Sequence, residues 1–176
     1  MNIILIGFMG SGKTSTGRLL AKHLGYQFID IDQIIEQKHG MTCAKIFAQR
    51  GEDFFRKQET TALKELHGLA NSVIATGGGI ILSADNRSFL KNLGTLIYLK
   101  TPPAEILKRV EHDTTRPLLP AEHKLDAINK MLSVRQPLYL AAAQIIVETC
   151  TGQPEKTAAE ILRILQPVQA AAQEQR

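Results

Sequence analysis

A glycine-rich segment directly follows the first apolar run of the chain. Residues 7–14 are Gly-Phe-Met-Gly-Ser-Gly-Lys-Thr, which fits the pattern G-x-x-x-x-G-K-[ST], and residues 3–6 before them are all aliphatic. A strand, a glycine turn and a helix in this order let successive backbone N–H groups converge on phosphate oxygens near the positive end of the helix dipole. In such a loop the lysine reaches the terminal phosphates and the hydroxyl residue ligates Mg²⁺. The segment therefore predicts a nucleoside triphosphate site, with Lys13 and Thr14 in these roles.

Short apolar runs alternate with helical patterns along the rest of the chain. The predicted strands are continuous apolar runs, as expected of parallel strands that are buried on both faces; they cover residues 2–6, 26–30, 72–76, 95–100 and 144–148. The predicted helices cover residues 13–24, 31–39, 52–70, 84–93, 103–111, 123–140 and 154–165. This alternation predicts a three-layer, doubly wound α/β domain, whose ligands bind at the carboxyl ends of the strands.

Composition restricts the class of protein further. A length of 176 residues fits one domain, expected over residues 1–165, with a disordered tail over 166–176. The net charge of +4 is mild, and the few aromatic residues do not alternate with basic ones, so no nucleic-acid partner is expected. No apolar run is long enough to span a membrane. Two distant cysteines, Cys43 and Cys150, are expected to be reduced thiols of a cytoplasmic protein.

Two carboxylates lie at the end of the second predicted strand. Asp30 and Asp32 are two residues apart, so on a strand both side chains point the same way. An aspartate at a strand end is the usual partner of the phosphate-loop threonine around Mg²⁺, and Asp30 is assigned to the metal through water. Asp32 is the candidate for orienting or deprotonating an acceptor hydroxyl. The alternative is that Asp32 only caps the next helix.

Two arginines occur on helix faces that are otherwise apolar. Arg56 shares a face with Glu59 and two leucines, and Glu59 can orient it. Arg135 follows Leu125, Ile128 and Leu132 on one face of its helix. An oriented guanidinium binds a carboxylate through two hydrogen bonds. The pair predicts an anionic small-molecule acceptor besides the nucleotide, although Arg56 and Glu59 could also form a plain surface ion pair.

Two loops complete the candidate site. Gly77, Gly78 and Gly79 follow the third strand, and the absence of side chains there lets the backbone approach a ligand closely, unless the segment is only a flexible turn. Residues 112–123 contain two prolines and no periodicity, which predicts a long loop that acts as a lid or only as a solvated connector. Within it, Arg116 could neutralise charge on a transferring phosphoryl group, or could simply be solvated.

Taken in order, these segments resemble the shikimate kinase family. The matching motifs cover most of the chain; they are residues 7–14, Phe28-Ile-Asp-Ile-Asp32, Gly51-Glu-Asp-Phe-Phe-Arg56 with Glu59, Thr76-Gly-Gly-Gly79, Arg116-Pro-Leu-Leu119 and Arg135-Gln-Pro-Leu-Tyr139. The resemblance implies a five-stranded parallel sheet of order 2-3-1-4-5. It also implies ATP-dependent phosphorylation of the shikimate 3-hydroxyl, giving shikimate 3-phosphate and ADP, in chorismate and aromatic amino-acid synthesis.

The resemblance also implies residue roles. Asp32, Arg56, Gly78 and Arg135 would bind shikimate, with the two arginines on its carboxylate. The ATP phosphates would be bound by Arg116 from the lid and by the loop residues Gly10, Ser11, Gly12, Lys13, Thr14 and Ser15, with Thr14 also on Mg²⁺. Arg109 and Gln153 would lie beside the adenine. A monomer is expected.

Three other classes compete with this interpretation. A gluconate or nucleoside monophosphate kinase would share the phosphate loop, but would not be expected to combine two inward arginines with Asp32 and the glycine turn. A GTPase-like switch predicts D-x-x-G and N-K-x-D, whereas no Asp has Gly three residues on and Asn129-Lys130 is followed by Met-Leu. A non-catalytic relative is disfavoured because Lys13, Thr14 and both aspartates are present.

Overall fold

The computed structural model describes residues 1–111, 119, 122–149 and 152–173, with side chains described up to residue 166. Arg116, Cys150 and most of the predicted lid lie outside the described residues. Within the described part of the chain, no helix is both long and apolar enough to cross a membrane.

Five parallel strands form one sheet in the order β2-β3-β1-β4-β5. The strands are β1 (Ile3–Ile6), β2 (Gln27–Asp30), β3 (Ser72–Ala75), β4 (Thr95–Lys100) and β5 (Ile145–Glu148). Each begins and ends within one residue of its predicted limits. Central β1 pairs with β3 and β4, so that Ile4 lies between Ile74 and Leu96. The fold class and the strand order implied by the family resemblance are confirmed.

Helices cover both faces of the sheet because alternate residues of β1 point to opposite faces. The helices are α1 (Lys13–Leu24), α2 (Ile31–His39), α3 (Cys43–Glu65), α4 (Ala84–Leu93), α5 (Pro103–Val110), α6 (Lys124–Ala142) and α7 (Pro154–Gln173), with a short 3₁₀ helix over Ile80–Leu82. Ile4 and Ile6 pack in one core with buried residues of α2, α3, α4 and α6. Ile3 and Leu5 pack in a second core with α1 and α7. All four side chains are fully buried, as expected for the middle layer of three.

Helix α3 differs most from its prediction over residues 52–70. It begins at Cys43, where the Thr42 hydroxyl accepts a hydrogen bond from the Lys45 amide at 3.3 Å, and it ends at Glu65. Gly51 interrupts it with non-helical dihedrals (φ 80°, ψ 171°). The glycine concealed the first part of this element in the sequence, because it breaks the helical periodicity at this point. Gly68, with φ 83°, lies in the turn that the prediction had included in the helix.

The carboxyl-terminal ends of α6 and α7 lie beyond their predicted positions. Helix α6 contains Pro137 and continues to Ala142, beyond the end predicted at residue 140. Helix α7 continues to Gln173 instead of ending at residue 165, so residues 166–173 of the expected disordered tail are helical. Residues 174–176 lie outside the described residues, and the domain limit at residue 165 stays a prediction.

Candidate active site

The phosphate-binding loop joins β1 to α1 at the carboxyl edge of the sheet. Gly12 caps α1 with a left-handed backbone (φ 90°, ψ 16°), a conformation that costs glycine little. The loop is largely inside the protein, since Phe8 and Ser11 are 1% exposed. The start of α1 thus presents unpaired backbone N–H groups to a site for an anion.

The lysine of the loop is held by the loop itself. Lys13 is 8% exposed, and its ammonium donates to the carbonyl oxygens of Gly7 at 2.9 Å and Phe8 at 2.8 Å. The charge is thus kept within the arc of backbone where phosphate oxygens bind in loops of this type. This position suits an electrostatic role toward phosphates.

The two aspartates follow β2, but not as the sequence predicted. The strand ends at Asp30, and Asp32 is the second residue of α2, so the two carboxylates are not strand neighbours. Asp30 caps α2 by accepting from the Asp32 amide at 3.0 Å, and its other oxygen accepts from the Thr14 hydroxyl at 2.8 Å. The proposed helix cap is therefore Asp30 rather than Asp32. The Asp30 carboxylate is thus hydrogen-bonded both to the start of α2 and to Thr14 beside the phosphate loop.

Thr14 and Asp30 are a suitable donor pair for Mg²⁺. Both offer hard oxygen atoms, they lie within 2.8 Å of each other beside the phosphate loop, and Asp30 is 9% exposed. Among the described residues, no group of three or more acidic, histidine or cysteine side chains could enclose a metal. A two-residue site fits Mg²⁺, which usually keeps several waters and binds substrate phosphates as well.

Arg56 and Glu59 form an ion pair that is buried on the glutamate side. Their side chains are 22% and 0% exposed, and Nη1 of Arg56 donates to Oε2 of Glu59 at 2.7 Å. Burial raises the pKa of Glu59 to about 7, although the guanidinium acts in the opposite direction. Oε1 of Glu59 is buried and has no hydrogen-bond partner within the described part of the chain. The pair is therefore not a plain surface ion pair.

The three-glycine turn lies against the acidic side chains, Arg56 and the phosphate loop. A Cβ atom on Gly77 would lie 2.9 Å from Oδ1 of Asp32 and would overlap Oε1 of Glu59. A Cβ on Gly79 would overlap the guanidinium of Arg56. A Cβ on Gly78 would lie 3.1 Å from the Met9 amide of the phosphate loop. Glycine is required here because side chains converge on the backbone from several directions.

Arg135 is buried next to the phosphate loop. It is 6% exposed, and its guanidinium carbon lies 5.6 Å from the centre of the Phe8 ring. Ile128 and Leu132 of the same face are buried as predicted, whereas Leu125 is 39% exposed. Burial lowers the pKa of Arg135 from its ordinary value. Among the described residues it has no ion-pair or hydrogen-bond partner, which favours an anionic ligand as the missing partner.

Tyr139 is a site residue to which sequence reasoning assigned no role. It is fully buried, stacks on Tyr98 with ring centres 4.9 Å apart, and donates its hydroxyl proton to the Gly78 carbonyl. Burial raises the pKa of this hydroxyl, so it remains a donor. The tyrosine follows Arg135 by one helical turn, and this i, i+4 spacing is the signal that could have identified it. It links α6 to the glycine turn.

A second region lies on the other side of the phosphate loop. A pocket of about 310 Å³ is bounded by residues that include Ser11, Gly12, Ser15, Arg109 and Gln153. Arg109 donates to the Gly10 carbonyl at 3.1 Å and to Glu105 at 3.3 Å. The structure therefore brings Arg109 and Gln153 together in one pocket beside the loop. Arg116 lies outside the described residues.

Comparisons with known proteins agree on one family. The family model described as shikimate kinase matches residues 9–166. A shikimate kinase of Acinetobacter baylyi is 43% identical over 164 residues, which cover 93% of this chain and 91% of that protein. The structure of an Acinetobacter baumannii shikimate kinase in complex with shikimate has a TM-score of 0.90 and 44% identity, covering 93% of this chain and 92% of that one.

More distant structures agree in fold. A shikimate kinase from Aquifex aeolicus has a TM-score of 0.82 and 37% identity, covering 94% of this chain and 96% of that one. A gluconokinase from Sinorhizobium meliloti has a TM-score of 0.56 at 17% identity, covering 97% and 96%, and shares the fold alone.

Proposed function

Because this chain belongs to the shikimate kinase family, we propose that it transfers the γ-phosphoryl group of ATP to the 3-hydroxyl of shikimate, giving shikimate 3-phosphate and ADP. The reaction is a step of aromatic amino-acid biosynthesis. The observation that carries the proposal is the arrangement of Arg56, Asp32 and the three-glycine turn beside a complete phosphate loop. Shikimate carries both a carboxylate and vicinal hydroxyls, and this arrangement offers a partner to each.

The arginines bind the acceptor carboxylate in this proposal. Arg135 is a buried cation without an anionic partner among the described residues, and Arg56 is oriented by Glu59. An incoming carboxylate would supply the missing charge, and guanidinium groups bind it with directional, charge-assisted hydrogen bonds. The backbone of Gly78, held by Tyr139, lies between the acceptor side and the phosphate loop.

Asp32 orients the reacting hydroxyl and accepts its proton. Its carboxylate points to the glycine turn, on the same edge of the sheet as the phosphate loop. Phosphoryl transfer has a loose transition state, so positioning and electrostatics account for most of the catalysis. The hydroxyl oxygen attacks the γ-phosphorus, the bond to the β-phosphate oxygen breaks, and the hydroxyl proton passes to Asp32.

Residues of the phosphate loop hold the donor. Backbone N–H groups over residues 10–15 bind the phosphates, and Lys13 neutralises charge on them. Arg109 and Gln153 flank the nucleotide base, which their place in the 310 Å³ pocket supports. Arg116 is proposed at the phosphates from the family resemblance alone. Thr14, and Asp30 through water, would hold Mg²⁺, which supplies charge neutralisation between the phosphates when bound.

The protein is proposed to act as a cytoplasmic monomer without nucleic-acid or membrane partners. The mild charge of +4 and the scarcity of aromatic residues support the absence of a nucleic-acid partner. Light scattering coupled to gel filtration would test the oligomeric state, and a dimer mass would contradict it.

A coupled ADP-release assay tests the proposed activity. Shikimate, gluconate and nucleoside monophosphates would each be supplied with ATP and Mg²⁺ at equal concentrations. ADP release is expected with shikimate, at least a hundredfold faster than with the others. Equal or greater turnover of gluconate would overturn the assignment, because gluconate is an acid with hydroxyl groups but lacks the ring.

A further inference from the structure

The guanidinium of Arg56 is bound by two acidic side chains that use different edges of it. Nη1 donates to Oε2 of Glu59 at 2.7 Å. Nε and Nη2 both donate to Oε1 of Glu52, at 3.2 Å and 2.8 Å. The edge formed by Nε and Nη2 is one that a carboxylate occupies when it binds arginine through two parallel hydrogen bonds. Glu52 thus lies where a ligand carboxylate would bind side-on.

Glu52 and Glu59 differ in how easily a ligand carboxylate could displace them from Arg56. Glu59 is 0% exposed, and separating it from Arg56 would leave a buried carboxylate without its cation. Glu52 is 45% exposed, so water can solvate its carboxylate as soon as it leaves the arginine. It also directly follows Gly51, whose backbone departs from helical geometry. Glu52 is therefore the acid that a ligand can displace from Arg56, whereas Glu59 stays paired with it.

Charge balance also favours exchange. Around the glycine turn, Arg56 and Arg135 are shared among Asp32, Glu52 and Glu59, and Glu59, with its pKa raised to about 7, is only partly ionised at neutral pH. A substrate carboxylate that approached Arg56 would be repelled by the Glu52 carboxylate, which is hydrogen-bonded to the same guanidinium. Departure of Glu52 into solvent removes this repulsion, which makes entry of the substrate carboxylate less unfavourable.

We propose that Glu52 competes with the carboxylate of the acceptor for Arg56 and thereby sets the affinity of the enzyme for its acid substrate. Glu52 occupies the side-on edge of Arg56 in the free enzyme and moves to solvent when the acceptor binds. This inference rests on the acceptor role proposed above for Arg56. It makes Glu52 a determinant of specificity, because a neutral analogue gains nothing from displacing it.

The test compares the variants Glu52→Gln and Glu52→Ala with Asp53→Asn. Asp53 is the adjacent, exposed acid, and the ion pairs of Arg56 are with Glu52 and Glu59, so the Asp53 variant removes the same charge without releasing Arg56. The KM for shikimate should fall roughly two- to fivefold in both Glu52 variants, the factor expected from release of an exposed ion pair. The KM for ATP should not change, and Asp53→Asn should match the wild type.

A neutral analogue separates competition from other effects of the substitution. Methyl shikimate cannot form the ion pair, so its KM should be the same in the wild type and in Glu52→Gln. A shikimate KM that rises or stays constant in both Glu52 variants would overturn the proposal, and so would an equal gain for the ester.

The variant Arg56→Met distinguishes failure of this inference from failure of its premise. If Arg56→Met raises the shikimate KM while the Glu52 variants do not lower it, only competition by Glu52 is refuted. If Arg56→Met leaves the shikimate KM unchanged, the acceptor role of Arg56 itself is wrong. Thermal unfolding of each variant confirms that a folded protein is compared.

Discussion

Replacement of Arg135 by methionine should weaken acceptor binding without weakening the fold. Methionine keeps most of the apolar stem of the arginine and removes only the charged group. Arg135 is 6% exposed and has no ion pair or hydrogen bond within the described part of the chain, so desolvation of its charge is only partly offset by the Phe8 ring and by nearby groups such as Glu59. The variant is therefore expected to unfold at the same temperature as the wild type, or a higher one.

The loss of binding follows from the contacts that a carboxylate would make. Hydrogen bonds to charged groups contribute about 1.5–3 kcal/mol, and 1.4 kcal/mol corresponds to a tenfold change in affinity. The KM and Kd for shikimate should therefore rise about 10- to 150-fold. The KM for ATP should change far less, because Arg135 does not line the pocket proposed for the nucleotide, which includes Arg109 and Gln153.

Steady-state kinetics with each substrate varied in turn, together with calorimetric titration of shikimate, would measure these effects. Arg163→Met is a matched control, since this exposed arginine of α7 forms its ion pair with Glu160, away from the site. Arg135→Lys should recover part of the affinity, because the charge returns without the planar donor group. Equal changes in both KM values would refute the acceptor role, and a large fall in unfolding temperature would refute the argument that burial of the Arg135 charge destabilises the free protein.

Three further predictions concern the remainder of the site. Asp32→Asn should abolish phosphoryl transfer while ATP still binds; near wild-type turnover would exclude a catalytic role for Asp32. Gly77→Ala should lower kcat by at least tenfold, because the new Cβ would lie 2.9 Å from Oδ1 of Asp32 and overlap Glu59; unchanged kinetics would show that the turn yields easily. Glu59 has a pKa raised by burial from 4.5 to about 7, so its ionisation opposes folding. Its contribution to the free energy of unfolding is complete below pH 4.5 and is lost as pH rises through 7. Urea titrations should therefore show stability falling with pH in this window more in the wild type than in Glu59→Gln, and parallel curves would contradict the shifted pKa.

Local patterns predicted the sheet almost completely, because each strand is a short apolar run bounded by turns. The limits of β4 were predicted to the residue, and those of the other strands within one. The phosphate loop was predicted equally well, since its glycines and Lys13 lie in one short segment of the chain. Helix α3 was predicted less accurately. Gly51 interrupts its periodicity, so the first part of the helix was not predicted, although Thr42 caps it and Ile46 packs in the core.

The candidate site shows the same difference between what the sequence predicts and what it does not. The sequence by itself determined which groups are available: the loop that starts α1, the acids after β2, Arg56, Arg135 and three consecutive glycines. Tertiary structure decided which of them meet. It made Asp30 the helix cap, tied Tyr139 to Gly78, and placed Glu52 on the edge of Arg56 where a ligand carboxylate would bind. The physical reason is that periodicity reports which face of an element is buried, whereas contacts between distant segments depend on how those elements pack.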